Sequence, residues 1–156
     1  MEKEFLKTIN DYQKIISKVC RLYRDNEQDQ KDLFQEIVYQ LWKSYPGFKG
    51  ESKISSWIYR IALNTAIVVY RKQRLAIKYY EEIPEHLHPH SEKINSDNEE
   101  KLFNALRKLS DVEKSIVSLY LDDFSYREIS EITGISENNV GVRLNRIKNK
   151  LKQLIK

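Results

Sequence analysis

The side chains with the most definite chemistry lie between Ser125 and Lys152. Counted at about 100° per residue, Asn138, Val142, Asn145 and Asn149 fall along one line of a helix, with Asn139 and Arg146 on one flank and Lys148 and Lys152 on the other. No acid stands among them. A carboxamide can pair with an adenine edge, a valine can touch a thymine methyl, and the flanking cations can hold phosphates. The opposite face carries Val140, Leu144, Ile147, Leu151 and Leu154 at spacings of four and three, a stripe that must be buried. Arg143 lies nearer that stripe, where an ion pair with Glu128 or Glu131 competes with a phosphate contact.

A second set of candidates interleaves cations with aromatic rings. Arg60, Arg71, Lys72, Arg74 and Lys78 accompany Phe48, Trp57, Tyr59, Tyr70, Tyr79 and Tyr80. Basic side chains steer a phosphate backbone while aromatic faces stack on unpaired bases, a mixture suited to a single strand. Aromatic residues at helical spacing also serve as core, and Trp57 fits that description.

Other chemistries find little to work with. His86, His88 and His90 are close together, but a proline-containing tract without cysteine gives them no defined geometry, so no metal is expected. Cys20 is the only cysteine, which excludes an internal disulfide and suits core packing in a reducing compartment. No nucleophile and base pair or phosphate-binding glycine loop appears, so neither catalysis nor a cofactor is expected.

The elements that must position the first set are short and sharply punctuated. Ser125 with Glu128 forms a capping box, and Tyr126, Ile129 and Ile132 then recur on one face of a brief helix. Thr133, Gly134 and Ile135 form a turn whose glycine can take positive φ, and Ser136 supplies the next N-cap. Two helices around such a turn, the second with a basic polar face, make a helix-turn-helix pattern. Gly141 inside the second helix costs roughly 1 kcal/mol against alanine, which suggests a close approach to the backbone there.

Upstream, Phe5, Ile9, Tyr12, Ile16, Val19 and Tyr23 predict one amphipathic helix from Glu2 to about Tyr23. A second helix, from about Asp29 to Tyr45, turns Leu33, Phe34, Ile37, Leu41 and Trp42 inward and shows Asp32, Gln35, Glu36 and Gln40 on its polar side. Pro46 and Gly47 end it, Phe48 to Ser52 form a loop, and a long helical pattern runs from about Ile54 toward RKQR. Residues 81–101 lose periodicity and turn acidic, as a flexible linker would. Helical periodicity resumes at Leu102, and Ser110 with Glu113 forms another capping box.

Charge follows the same division. Residues 1–80 hold 15 basic and 9 acidic side chains, 81–101 hold 2 and 7, and 102–156 hold 10 and 7. Two basic blocks around an acidic one suit a polyanion touched twice. The amino terminus lacks the apolar run of a signal peptide, and no stretch approaches the roughly 20 apolar residues of a membrane span, so a soluble cytoplasmic protein without membrane insertion is expected. The fold class is all-α: two small helical domains, 1–80 and 102–156, joined through 81–101.

Taken together, DLFQEIVYQLW (Asp32 to Trp42), FKGESKISSWIYRIALNTA (Phe48 to Ala66), RKQR (Arg71 to Arg74) and the segment from Leu109 to Leu151 resemble the second and fourth conserved regions of bacterial RNA polymerase sigma factors of the extracytoplasmic-function type. The resemblance implies that Asp32, Leu33, Gln35 and Glu36 contact the clamp helices of the core polymerase's largest subunits. It implies that Phe48, Trp57 and Asn64 serve the minus-ten element, where unstacking a base costs a few kcal/mol and a pocket must receive it, and the cations Arg60, Arg71, Lys72 and Arg74 are then the candidates to hold the backbone of that strand. It implies minus-thirty-five contacts for Asn139, Arg143, Asn145, Arg146 and Lys148, to which the polar line of the helix adds Asn138 and Val142, and restraint by an anti-sigma factor. Leu63, Val68, Gly141 and Val142 depart from the family pattern. The alternative from another class is a stand-alone helix-turn-helix regulator, which leaves the first block without a purpose.

Overall fold

A computed structural model describes residues 1–69 and 97–155, and among these every regular element is helical. The chain divides into two units, Met1–Glu92 and Lys93–Lys156.

In the first unit α1 (Glu2–Asp11) and α2 (Gln13–Tyr23) precede α3 (Glu27–Ser44), a 3-10 turn (Tyr45–Gly47), α4 (Ile54–Asn64) and a π-helical continuation (Thr65–Val69). The single amphipathic helix expected from Glu2 to Tyr23 is broken at Tyr12, whose φ of −114° and ψ of 18° leave the helical region. Neither proline nor glycine causes the break. Its counterpart is tertiary: the Phe5 ring on α1 meets Trp42 at 4.8 Å and Tyr45 at 5.2 Å, both edge-on, at the far end of α3.

Asn26 starts α3 two residues earlier than its hydrophobic pattern predicts. Its side-chain oxygen accepts from the Asp29 N–H at 2.8 Å, and its amide nitrogen donates to the Asp29 carboxylate at 2.9 Å. Helices α2, α3 and α4 pack on one another. Ile16, Val19, Leu33, Ile37, Leu41 and Ile58 lose all contact with solvent between them. Each such side chain contributes about 1.5–3 kcal/mol by leaving water. Cys20 is buried among the same helices, and burial pushes its thiol up, which makes it inert packing.

The second unit holds α5 (Asp97–Arg107), α6 (Asp111–Leu121), α7 (Tyr126–Thr133) and α8 (Glu137–Ile155). Residues 97–101, expected in the linker, instead begin α5. Their acids Asp97, Glu99 and Glu100 occupy the first turn, where the helix dipole favours negative charge. The remaining expected linker residues, with His86, His88 and His90, lie outside the described residues. Both capping boxes are present. The Ser110 N–H donates to Glu113 at 2.9 Å and the Ser125 N–H to Glu128 at 3.0 Å, and each serine hydroxyl accepts a backbone N–H in return.

Helix α8 packs against α5, α6 and α7. Val140, Leu144 and Ile147 are buried and Leu151 is half-buried, but Leu154, expected in the stripe, is 37% exposed. Among the described residues no helix is long and apolar enough to cross a membrane.

Candidate nucleic-acid interface

The turn between α7 and α8 is set by local chemistry. Gly134 takes φ 81° and ψ 3° and its N–H donates to Ser130 O at 2.8 Å, which closes α7. The Ser136 hydroxyl accepts from the Asn139 N–H at 3.2 Å and opens α8. With Val140, Leu144 and Ile147 anchored inward, Asn138, Asn139, Val142, Arg143, Asn145, Arg146, Lys148 and Asn149 all stand exposed. Every residue of the sequence-derived set is thus exposed, Arg143 nearest the buried stripe. Arg143 is exposed as well, and the Glu131 carboxylate is engaged by Arg127 at 3.4 Å one turn away.

Two tyrosines not foreseen at this surface shape it. Tyr126, placed by its spacing on one face of α7 with Ile129 and Ile132, is 40% exposed and lies over Gly141. The glycine was the available signal, since it announced a close approach without naming the neighbour. Tyr120 of α6 receives a hydrogen bond from Lys148 Nζ at 3.1 Å, and the same ammonium lies 4.6 Å from the ring centroid. The hydroxyl beside it holds the Lys148 ammonium above the usual lysine range. Lys150 turns the other way and donates to Glu113 at 2.8 Å, tying α8 to the capping box of α6.

In the first unit Phe48 and Trp57 are half-buried, with ring centroids 4.9 Å apart. Trp57 also approaches Tyr45 at 6.2 Å. The loop between the 3-10 turn and α4 is thus held by its own aromatic side chain. Arg60 and Asn64 are exposed on α4. Tyr59, grouped with the exposed aromatic candidates, is completely buried, with Lys18 Nζ 5.1 Å from its ring centroid. Arg71, Lys72 and Arg74, like Tyr70, Lys78, Tyr79 and Tyr80, lie outside the described residues.

The four candidates on α3 fall into two pairs. Asp32 and Gln35 are half-buried and reach the surface. Leu33 is fully buried, as its hydrophobic spacing demands, and Glu36 is 1% exposed although the polar pattern put it outside. Its Oε1 accepts from Gln40 at 3.0 Å, while Oε2 has no hydrogen-bond partner among the described residues. Burial pushes this carboxyl up, opposed by Gln40 and by the charge of Lys43. Helix α3 therefore shows Asp32 and Gln35 at the surface, while Leu33 and Glu36 lie in the core.

Comparison with known proteins accounts for both units. Residues 8–76 match the family described as Sigma-70 region 2, and residues 99–151 match Sigma-70, region 4. The RNA polymerase sigma factor SigV of Bacillus subtilis (strain 168) is 32% identical over 139 residues, covering 88% of this chain and 82% of that protein. The ECF RNA polymerase sigma-E factor of Haemophilus influenzae is 27% identical over 172 residues, covering 99% of this chain and 90% of that protein. Among solved structures, the sigma factor RpoE in complex with the anti-sigma factor NepR from Bartonella quintana shares the fold, with a TM-score of 0.75 at 20% identity over 98% of this chain and 97% of that one. A stand-alone regulator would leave the region 2 match of residues 8–76 unexplained. Region 2 followed by region 4, over most of the length of such relatives, makes this chain a member of the extracytoplasmic-function sigma factors of the sigma-70 family, transcription initiation factors that bind core RNA polymerase and direct promoter recognition and melting.

Proposed function

We propose that α8 enters the major groove of the minus-thirty-five element, with Asn138, Asn139, Val142 and Asn145 toward base edges and Arg143, Arg146 and Lys148 toward phosphates. The observation that carries this is the outward face of α8, which beyond Glu137 in its first turn carries no acid and is exposed from Asn138 to Asn149 while the opposite stripe is anchored. Residues 1–80 serve core polymerase and the minus-ten element. Asp32 and Gln35 meet the clamp helices, and Phe48, Trp57, Arg60 and Asn64 hold the opened strand, with Arg71, Lys72 and Arg74 on its backbone.

The protein works by binding, without a catalytic step, and acts in the cytoplasm. An anti-sigma factor is its restraint. The RpoE structure contains NepR, and the similar CnrH is in complex with the cytosolic domain of CnrY. Run-off transcription with purified core polymerase tests the reading. Wild-type chain should add promoter-specific transcripts, and Asn145→Ala with Arg146→Ala should abolish those that depend on an upstream element. A chain that binds duplex DNA alone and adds no initiation would overturn it.

A further inference from the structure

A glycine within a helix weakens it relative to alanine, so Gly141 calls for a compensating contact. A Cβ at Gly141 would lie 3.3 Å from Cε2 and 3.6 Å from Cδ2 of Tyr126, so the ring rests against the bare backbone of α8. Packing of α7 does not demand this ring. Ile129 is completely buried and anchors the helix, whereas Tyr126 at its first turn is 40% exposed. Tyr126, Asn138, Gly141, Val142, Asn145 and Lys148 line one shallow groove of about 460 Å³ on the outward face of α8.

The lining is specific in character. It has two apolar walls, the Tyr126 ring and the 43% exposed Val142, two carboxamides, and one cation that Tyr120 already engages. Thymine is the base that presents an apolar group in the major groove, and its partner adenine presents the donor and acceptor that a carboxamide pairs with. A guanine would call for an arginine or lysine donating to its O6 and N7; no arginine lines the groove, and its one lysine, Lys148, is already engaged by Tyr120.

We propose that Tyr126, although it belongs to the first helix of the helix-turn-helix, is a base-contacting residue: its ring, seated on Gly141 and facing the groove with Val142, receives the 5-methyl group of one thymine of the upstream element. This rests on the minus-thirty-five reading of α8 proposed above. The surface that reads DNA is then composite, with one wall from α7 and the other from α8.

Replacing thymine by deoxyuridine, one position at a time, removes only the methyl group. Binding of the full chain with core polymerase to such promoters should weaken about fourfold at one upstream position, the worth of a single buried methyl. Tyr126→Ala should abolish that penalty while preferences at other positions persist. Tyr126→Phe should keep it, because the ring remains. Gly141→Ala should reduce it, because the ring must give way by a few tenths of an ångström.

An undiminished penalty in Tyr126→Ala, or no uracil penalty anywhere in a wild type that still selects an upstream element, overturns the proposal. Loss of the penalty in Tyr126→Phe overturns it too, because the effect would then belong to the hydroxyl. A wild type with no upstream preference at all overturns the reading of α8 instead. Should Tyr126→Ala unfold, Gly141→Ala decides alone, and an unchanged penalty there refutes the contact.

Discussion

Glutamine at position 36 should make the first unit more stable without weakening its hold on polymerase. Glu36 is 1% exposed, one carboxylate oxygen is satisfied by Gln40 at 3.0 Å, and the other has no hydrogen-bond partner among the described residues. Leaving a buried polar group short of its partner costs about 1–3 kcal/mol, and more when the group is charged. Glu36→Gln removes the charge and keeps the shape, but its amide still lacks a full set of partners. A net gain of roughly 1 kcal/mol at pH 8 is therefore expected.

The pH dependence has a definite sign. Burial raises the folded pKa, so the native state holds the proton more tightly than the unfolded chain does. Below the unfolded value of about 4.3 both states are protonated and no ionisation penalty exists. As pH climbs through the folded pKa the penalty grows, so the wild type loses stability and the gap to the mutant widens. Urea unfolding followed by circular dichroism at pH 4, 6 and 8, with core-polymerase affinity measured beside it, checks both halves. A mutant less stable at pH 8, or a gap widest at pH 4, would refute the burial argument. A tenfold loss of polymerase affinity at unchanged stability would return Glu36 to the contact surface.

Other outcomes follow from the second unit. Burial alone would raise Glu113, but the Lys150 ammonium at 2.8 Å and the Ser110 N–H at 2.9 Å outweigh it and hold the carboxyl below the usual range. A depressed folded pKa stabilises above the unfolded value of about 4.3 and is lost as pH falls through the folded one. Glu113→Gln should thus cost about 1 kcal/mol at pH 7 and progressively less in acid, read from thermal unfolding across pH. Gly134→Ala forces a methyl group onto a residue at φ 81° and should destabilise by about 1–2 kcal/mol in the same assay. If Lys148 neutralises a phosphate, Lys148→Met should lower the slope of log affinity against log salt by about 0.9, whereas Tyr120→Phe, which keeps the charge, should leave it unchanged.

What the sequence disclosed and what it concealed divide along the range of the forces involved. Ser125 with Glu128, Gly134 and Ser136 act within four residues, so their types and order specify the turn of the helix-turn-helix almost completely. The inward stripe of α8 was equally plain up to Leu151. Leu154 keeps the same phase but stays exposed, because periodicity says which way a side chain faces and not whether anything covers it. The break at Tyr12 has no local cause, and the acids of residues 97–101 resemble linker composition although the same acids suit a helix start.

Helix α3 shows how motif and periodicity carry different information about the same residues. The motif made Asp32, Leu33, Gln35 and Glu36 one contact set, while spacing placed Leu33 with Ile37 and Leu41 in the core. The structure gives Leu33 to the core and adds Glu36 to it. A helix that docks on a partner must hold its outward residues at a fixed rotation, and buried neighbours in the same turn supply that constraint. Leu33 and Glu36 flank Asp32 and Gln35 within a single turn, so an inward residue next to each outward one fixes the angle at which the polar pair is presented. A motif of this kind is a unit of surface and seat together, and substitution at the seat should appear first in stability and only secondarily in binding.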